Sequence, residues 1–458
     1  MGARWVVRSV AAGRQRGHIW GFLNWPAVSM SKRVSVKRML PQRGARFGRA
    51  TLAAIALGVS VLTVAPVSAA PVPPARDLAQ KTCGTLAARV DEISGRGPLF
   101  LRSYDNSYAP GPTSEPALSN AAFTYDNALA IMALTACGQR DKALRIGEAL
   151  LDAVSLDRAG WKGRLRNTYR AGAQKQRPIP PNGWWDAVGN HWGEDPYQVG
   201  TATGNVAWAG LALLTLGDAT GEKRFRDGAA ELARWVVEHT RDPRGPGGFN
   251  GGVQGFDDAP QPLTWKSTEH NTDLVALFGW LGGDFAGPER EARDFLDRMW
   301  TAGGDHFPIG TAPDGVTTST STSGLDAQLW PLLLPKAPEA WRAALTYAER
   351  AHGADGGFDF NDDRDGMWVE GTAQAALAYR AVGRRGDADR LFGELLKEIS
   401  PGGYLYATRP QVLTTGLAIG PDSKTDDFLY YRRPHLGATA WAALAAVGWN
   451  PFTGKTVP

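Results

Sequence analysis

Two kinds of segment alternate along this chain, and their hydrophobic patterns differ. One kind is apolar or small almost all round: Phe123 to Cys137, Thr203 to Gly217, Ser267 to Leu281, Leu325 to Leu334, Trp368 to Val382 and Gly437 to Gly448. A helix without a polar stripe is a buried helix, and the many Ala and Gly residues let such helices approach closely. The other kind carries an apolar stripe on a charged surface: Arg140 to Val154, Glu222 to Thr240, Pro288 to Trp300, Pro338 to Ala351 and Asp387 to Ile399. Each of these five follows a buried segment after a short turn. A further amphipathic segment, Ala75 to Ile93, stands alone at the start, just as Gly437 to Gly448 stands alone at the end. Pairing those two closes six helical hairpins into an all-α (α/α)6 barrel with inner and outer helix rings. An open solenoid would leave both without a partner.

In such a ring every long loop precedes an inner helix, so the long loops share one face, where binding and chemistry are expected. The first turns of the inner helices converge there. They carry Tyr125, Asp126 and Asn127; Asn205; Glu269, His270, Asn271 and Asp273; Asp326 and Gln328; Glu370 and Gln374; and His435. One acid at a helix start is explained by capping and by the helix dipole. Five acids at convergent starts call for another explanation. The loops add aromatic rings, among them Trp161, Trp184, Trp185, Trp192, Trp265, Tyr404, Tyr406, Tyr430 and Tyr431. Ring faces bounded by carboxylates and amides suit a hydroxyl-rich ligand, because sugar C–H faces stack while the hydroxyls accept and donate hydrogen bonds.

Composition narrows the partners. With 43% hydrophobic and 21% charged residues in 458, the chain is globular, and one barrel can use this length. The formal charge of +4 would hint at nucleic acid, yet 11 of the 50 Lys and Arg residues lie in the first 49 positions, which hold no acid. The rest carries 39 basic against 46 acidic residues and no basic stripe, which argues against a nucleic-acid partner. That basic leader precedes an apolar run from Thr51 to Ala65 and small residues up to Ala70, the pattern of an export signal cut after Ala69 or Ala70. The run is too short to span a membrane, and Pro71, Pro73 and Pro74 forbid its continuation. The expectation is a secreted, extracellular monomer without stable membrane insertion after cleavage. Residues 1–70 form the signal region, with Met30 or Met39 as possible true starts, 75–450 one catalytic domain, and 451–458 a tail. Cys83 and Cys137 can form one disulfide in an oxidising compartment, and they cannot build a zinc site.

The inner-helix start FTYDNALA, the segment KSTEHNTDL and the helix WVEGTAQAALAY, together with the hairpin count, resemble the six-hairpin glycosidase superfamily from Ala75 to Asn450. The resemblance implies an (α/α)6 barrel that processes carbohydrate, with a Glu at an inner-helix start as acid, here Glu370 or Glu269. The superfamily also holds lyases, epimerases and phosphorylases. Glycoside hydrolysis needs one protonated and one ionised carboxyl flanking the scissile bond. Glu269 and Glu370 are the first choices, since Glu is readily pushed up by desolvation. Asp126 and Asp326 follow, as the base or as a partner to the sugar; Asp186, Glu194 and Asp195 in GWWDAVGNHWGEDP could replace them as base. Substrate contacts are expected from Tyr125, Asn205, His270, Asn271, Gln328, Gln374, Trp184, Trp185, Asp186, Trp192 and His435, the substrate being a polysaccharide or oligosaccharide, with no cofactor.

Two rival functions use the same residues. A polysaccharide lyase would remove a proton with His270, Asn271, Tyr125 or His435, and a silent glycan-binding protein would keep only the aromatic mouth. The run from Asp359 to Glu370 spaces its acids like a calcium loop, but Arg364 stands where that loop requires Gly and no helix precedes it. His270, His306 and His435 lack zinc-ligand spacing. No metal is therefore expected. GPGGFNGG and DGGFDFNDD resemble terpenoid cyclase segments, against which export argues.

Overall fold

The structure, a computed structural model, describes residues 72–105, 107, 116–418 and 428–457. The expected export signal lies outside them. Among the described residues twelve α-helices run α1 (Pro74–Asp91), α2 (Thr124–Ala136), α3 (Arg140–Ser155), α4 (Thr203–Thr220), α5 (Lys223–Thr240) and α6 (Thr268–Leu281). They continue as α7 (Ala286–Gly303), α8 (Leu325–Leu329), α9 (Ala343–Ala351), α10 (Val369–Ala381), α11 (Arg385–Leu395) and α12 (Leu436–Val447). The even-numbered helices pack on one another in chain order and α12 returns to α2, which closes the inner ring. Each inner helix packs on the outer helix that follows it, and α12 packs on α1, the pairing that the lone first and last segments imply. Among the described residues no helix is long and apolar enough to cross a membrane.

The fourth inner helix departs from the sequence pattern. Only Leu325–Leu329 is α-helical, and Trp330–Leu333 tightens into a 3-10 turn. Pro331 causes this, because its nitrogen cannot donate and its ring clashes with the preceding turn.

A repeated anchor sets where the inner helices start. The fourth residue of five of them is an amide or hydroxyl that grips the backbone of a preceding loop. Asn127 accepts from Leu101 N–H at 2.8 Å and donates to its carbonyl at 3.0 Å. Asn271 does the same with Phe249 (3.0 and 3.1 Å) and Gln328 with Phe307 (2.9 and 2.7 Å). Thr372 accepts from Phe358 N–H at 3.0 Å, and Thr439 from Leu405 N–H at 2.9 Å. The same side chains donate to the carbonyl four residues back, at Phe123, Ser267, Gly324, Trp368 and His435. Loop and helix start thus share one buried polar pin, which satisfies backbone groups that would otherwise be orphaned.

The far end of the barrel is closed by the chain's own terminus. Trp449–Asn450 pairs with Lys455–Thr456, and Asn450 donates to Leu333 O at 2.8 Å. This turn sets Phe452, 1% exposed, against Trp208 and Trp330 at centroid distances of 5.2 and 5.8 Å. Residues 451–457 are therefore part of the packed barrel. On its flank, the Cys83–Cys137 disulfide ties α1 to the end of α2.

Candidate active site

Because i and i+4 lie on one helical face, each inner helix presents its second and sixth residues to the barrel axis. The second residues are Tyr125, Gly204, Glu269, Asp326, Glu370 and Gly437. The sixth are Leu129, Trp208, Asp273, Trp330, Gln374 and Trp441. The upper layer holds three acids, a tyrosine and two glycines. The lower layer is floored by indoles: Trp208 meets Trp330 and Trp441 edge to face at 5.1 and 5.6 Å, and Trp330 stacks on Trp441 at 6.0 Å.

One half of the upper layer is built around Glu370, which is 3% exposed. Tyr125 donates its hydroxyl hydrogen to Glu370 Oε1 at 2.7 Å and accepts from the Trp441 indole at 2.8 Å. His435, the residue before α12, places Nδ1 3.6 Å from Glu370 Oε2 and Nε2 3.3 Å from Asp126 Oδ2. In the neutral ring Nδ1 also accepts from Ala438 N–H at 3.3 Å, a bond given up when the imidazole is protonated, and Tyr104 stacks on the imidazole at 4.9 Å. Two carboxylates and an imidazole converge here because Gly437 has no side chain. A Cβ there would lie 2.7 Å from Asp126 Oδ1 and 2.9 Å from Glu370 Oε2.

The electrostatics of this half oppose one another. Burial pushes the Glu370 carboxyl up; His435 and the Tyr125 hydrogen bond pull it back, and it rests at about 7. Burial draws His435 down, while the Asp126 charge and hydrogen bond and the Glu370 charge lift it further, for a net rise. Glu370 is therefore poised to exchange a proton near neutrality, while the charges around His435 favour its protonated form.

The other half is the pair Glu269 and Asp326. Burial comes first, and then the Asp326 charge and a hydrogen bond to it push Glu269 well above the carboxylate range. Asp326, 5% exposed, rises by burial to about 6, restrained by the Ala327 N–H at 2.8 Å and by Glu269. One proton shared between two acids, with Glu269 as donor, follows from these environments. Below them lies Asp273, fully buried, whose two oxygens have no hydrogen-bond partner among the described residues. Burial, then the charges of Glu269 and Asp326, push it well up, which favours its neutral form.

The sequence-derived set divides on this geometry. Tyr125, Asp126, Glu269, Asp326, Glu370 and His435 lie in the upper layer or its rim. Asn205 is beside it, donating to Asn167 Oδ1 at 2.8 Å and bonded to Tyr197, whose hydroxyl burial pushes up to about 12. His270 is buried against Trp265 at 5.4 Å and is drawn down to about 4 by burial, hence neutral. Asn271 and Gln328 are corrections: both are fully buried, and their amides are committed to the loop anchors described above, leaving nothing for a sugar. Gln374 also lies too deep, one layer below the acids, with neither amide atom bonded among the described residues.

Trp184, Trp185, Asp186 and Trp192 belong to a ribbon in which Trp184–Asp186 pairs with His191–Gly193. Asp186 accepts from Val188 and Gly189 N–H in its own turn, Glu194 pairs with Arg158 at 2.6 Å, and Asp195 caps Gln198. These acids hold loops together, which removes the basis for making any of them the catalytic base. Trp185 and Trp192 oppose one another across the ribbon, 57% and 42% exposed, with the Arg170 guanidinium over Trp192 at 4.3 Å. Tyr104, Tyr197 and Trp441 escaped the sequence reading. Tyr104 sits in a loop of no clear period, and Trp441 lies inside an apolar helix where core packing is the default.

The sequence matches no family model and no curated protein. Solved structures do resemble the fold. A wild-type glycosidase shares 13% identity over 82% of this chain and 98% of its own, with a TM-score of 0.53. A GH76 α-mannanase from Bacteroides thetaiotaomicron shares 10% over 81% and 95%, at 0.52. A cellobiose 2-epimerase from Spirochaeta thermophila DSM 6192 shares 12% over 82% and 98%, also at 0.52. The molecule thus shares its (α/α)6-barrel fold with these solved structures.

Proposed function

We propose that this protein is a secreted glycoside hydrolase acting on a polysaccharide or oligosaccharide through Glu269 and Glu370. The observation that carries the reading is their opposite equipment. Glu269 faces another acid and keeps its proton, whereas Glu370 receives a Tyr125 hydrogen bond and the charge of His435, both of which favour its ionised form. Glu269 then protonates the leaving glycosidic oxygen, with Asp326 holding that proton in line. Glu370 acts on the opposite side, taking a proton from the water whose oxygen bonds the sugar carbon as the glycosidic bond breaks, or attacking that carbon itself, and it passes any proton it gains on to solvent. Tyr104 supplies a face for the ring, and the buried tryptophan layer supports the acids from below. The fold's likeness to glycosidases, one of them in complex with glucose, supports a saccharide as substrate. Export is supported by the basic-apolar leader and by the Cys83–Cys137 disulfide, a bond that persists in oxidising compartments.

The test is reducing-end release by the mature protein from about Pro71 onward, against neutral and acidic glycans, with Glu269→Gln and Glu370→Gln in parallel. Each variant is expected to lose about 10²–10⁴-fold in rate. Products absorbing in the ultraviolet would mark a lyase instead. Binding without turnover by wild type would mark a glycan receptor.

A further inference from the structure

Outside the barrel, the loop that leads into α10 gathers acids that the proposed hydrolysis does not use. The carboxylate oxygens of Asp359, Asp363 and Asp365 lie within 4.8 Å of one another, with Asp359 buried and the other two open to solvent. Such a group alone explains nothing, since exposed acids cluster without a ligand. Asn361 adds the second observation. It is 3% exposed, its Nδ2 donates to Asp363 Oδ2 at 3.0 Å, and its Oδ1 has no partner among the described residues. A buried amide oxygen beside three carboxylates is unpaired in the wrong place for a core residue. The amide needs only a half-turn to bring that oxygen onto a cation between the acids, while without a cation its N–H is the better neighbour for Asp363.

We propose that Asp359, Asn361, Asp363 and Asp365 bind one calcium ion. The donors are all oxygen, at alternate positions of one loop, and the open side leaves room for water, which is the coordination that Ca2+ prefers and Zn2+ does not. The objection raised by Arg364, a non-glycine at the tight sixth position, is met by its backbone: φ is 62°, the left-handed conformation that the position demands. Its guanidinium turns away to donate to Gly353 O at 2.8 Å. Glu370, twelfth in the run, is not a ligand, because it is bonded to Tyr125 inside the barrel. Thr414 joins the cluster from the ribbon Val412–Thr414, donating its N–H to Asp365 Oδ2 at 2.9 Å. That strand pairs with Leu429–Tyr431, and Tyr430 packs on Trp368, the residue before α10, at 5.8 Å. The ion braces loop and ribbon behind the helix start that carries Glu370, and this holds whatever reaction the mouth performs.

The experiment is titration of metal-free mature protein with CaCl2, and separately MgCl2, by calorimetry and thermal melting. Wild type is expected to bind one Ca2+ saturably and to melt about 2–5 °C higher with it, Mg2+ having a smaller effect. Asp363→Asn/Asp365→Asn loses both responses, and Asp186→Asn, in a different acidic turn, keeps them. Should the double variant fail to fold, Asn361→Ala is expected to weaken binding at least tenfold, read by Tb3+ luminescence displaced by Ca2+. No saturable binding in wild type, or binding unchanged in the loop variants, overturns the proposal.

Discussion

The Tyr125 hydroxyl donates to Glu370 Oε1 at 2.7 Å across 245 positions of chain, joining the first turn of α2 to that of α10. The Trp441 indole orients the hydroxyl by donating to it at 2.8 Å, which leaves its own hydrogen free for the carboxylate. Because this bond pulls Glu370 down, Tyr125→Phe is expected to raise the Glu370 pKa above about 7. The acidic limb of the rate profile, set by ionisation of Glu370, moves to higher pH, with kcat/KM falling most below neutrality. A profile that keeps its shape while the rate drops uniformly would assign Tyr125 to packing alone.

Stability carries the same carboxyls with a definite sign. Glu370 at about 7 and Asp326 at about 6 hold protons more tightly folded than unfolded, and Asp273 is displaced the same way. Their contribution is full below about pH 4, the unfolded value, and is lost as pH rises through the folded values, at about 1.4 kcal/mol per unit of displacement. Denaturant melts are expected to show a decline of a few kcal/mol between about pH 4 and pH 7, reduced in Glu370→Gln. A flat or rising curve attributable to these groups would contradict their burial as acids.

Phe452 closes the barrel floor. Phe452→Ala is expected to cost about 3–5 kcal/mol, measured by chemical denaturation, since the ring is 1% exposed against two tryptophans. Activity per folded molecule should fall as well, because the tryptophans that Phe452 supports are the floor of the site.

The Trp185 and Trp192 pair is exposed on a projecting ribbon and satisfies no core. As a stacking platform for a longer glycan, it predicts that Trp185→Ala/Trp192→Ala raises KM on long substrates by about thirtyfold while kcat on short ones holds, stacking being worth about 1 kcal/mol per ring. Equal effects on both substrate lengths would remove the ribbon from binding.

Much of the architecture was legible in one dimension. Helices apolar all round announce an interior, amphipathic ones a surrounding layer, and an unpaired segment at each end implies closure; Asp126, Glu269, Asp326 and Glu370 stood out as acids on apolar helices. Periodicity is local, so it reports which face of a helix is buried. It says nothing of what buries it. Only the tertiary structure separated Asn271 and Gln328, each two residues after an acid, as anchors to backbone that lies 21 or 22 residues upstream. It alone paired Glu370 with Tyr125 and Glu269 with Asp326, and it alone set Arg364 in the left-handed conformation that its residue type disfavours. Hydrogen bonds and charge coupling act through space over a few ångströms, and the residues that share them lie from 21 to 245 positions apart.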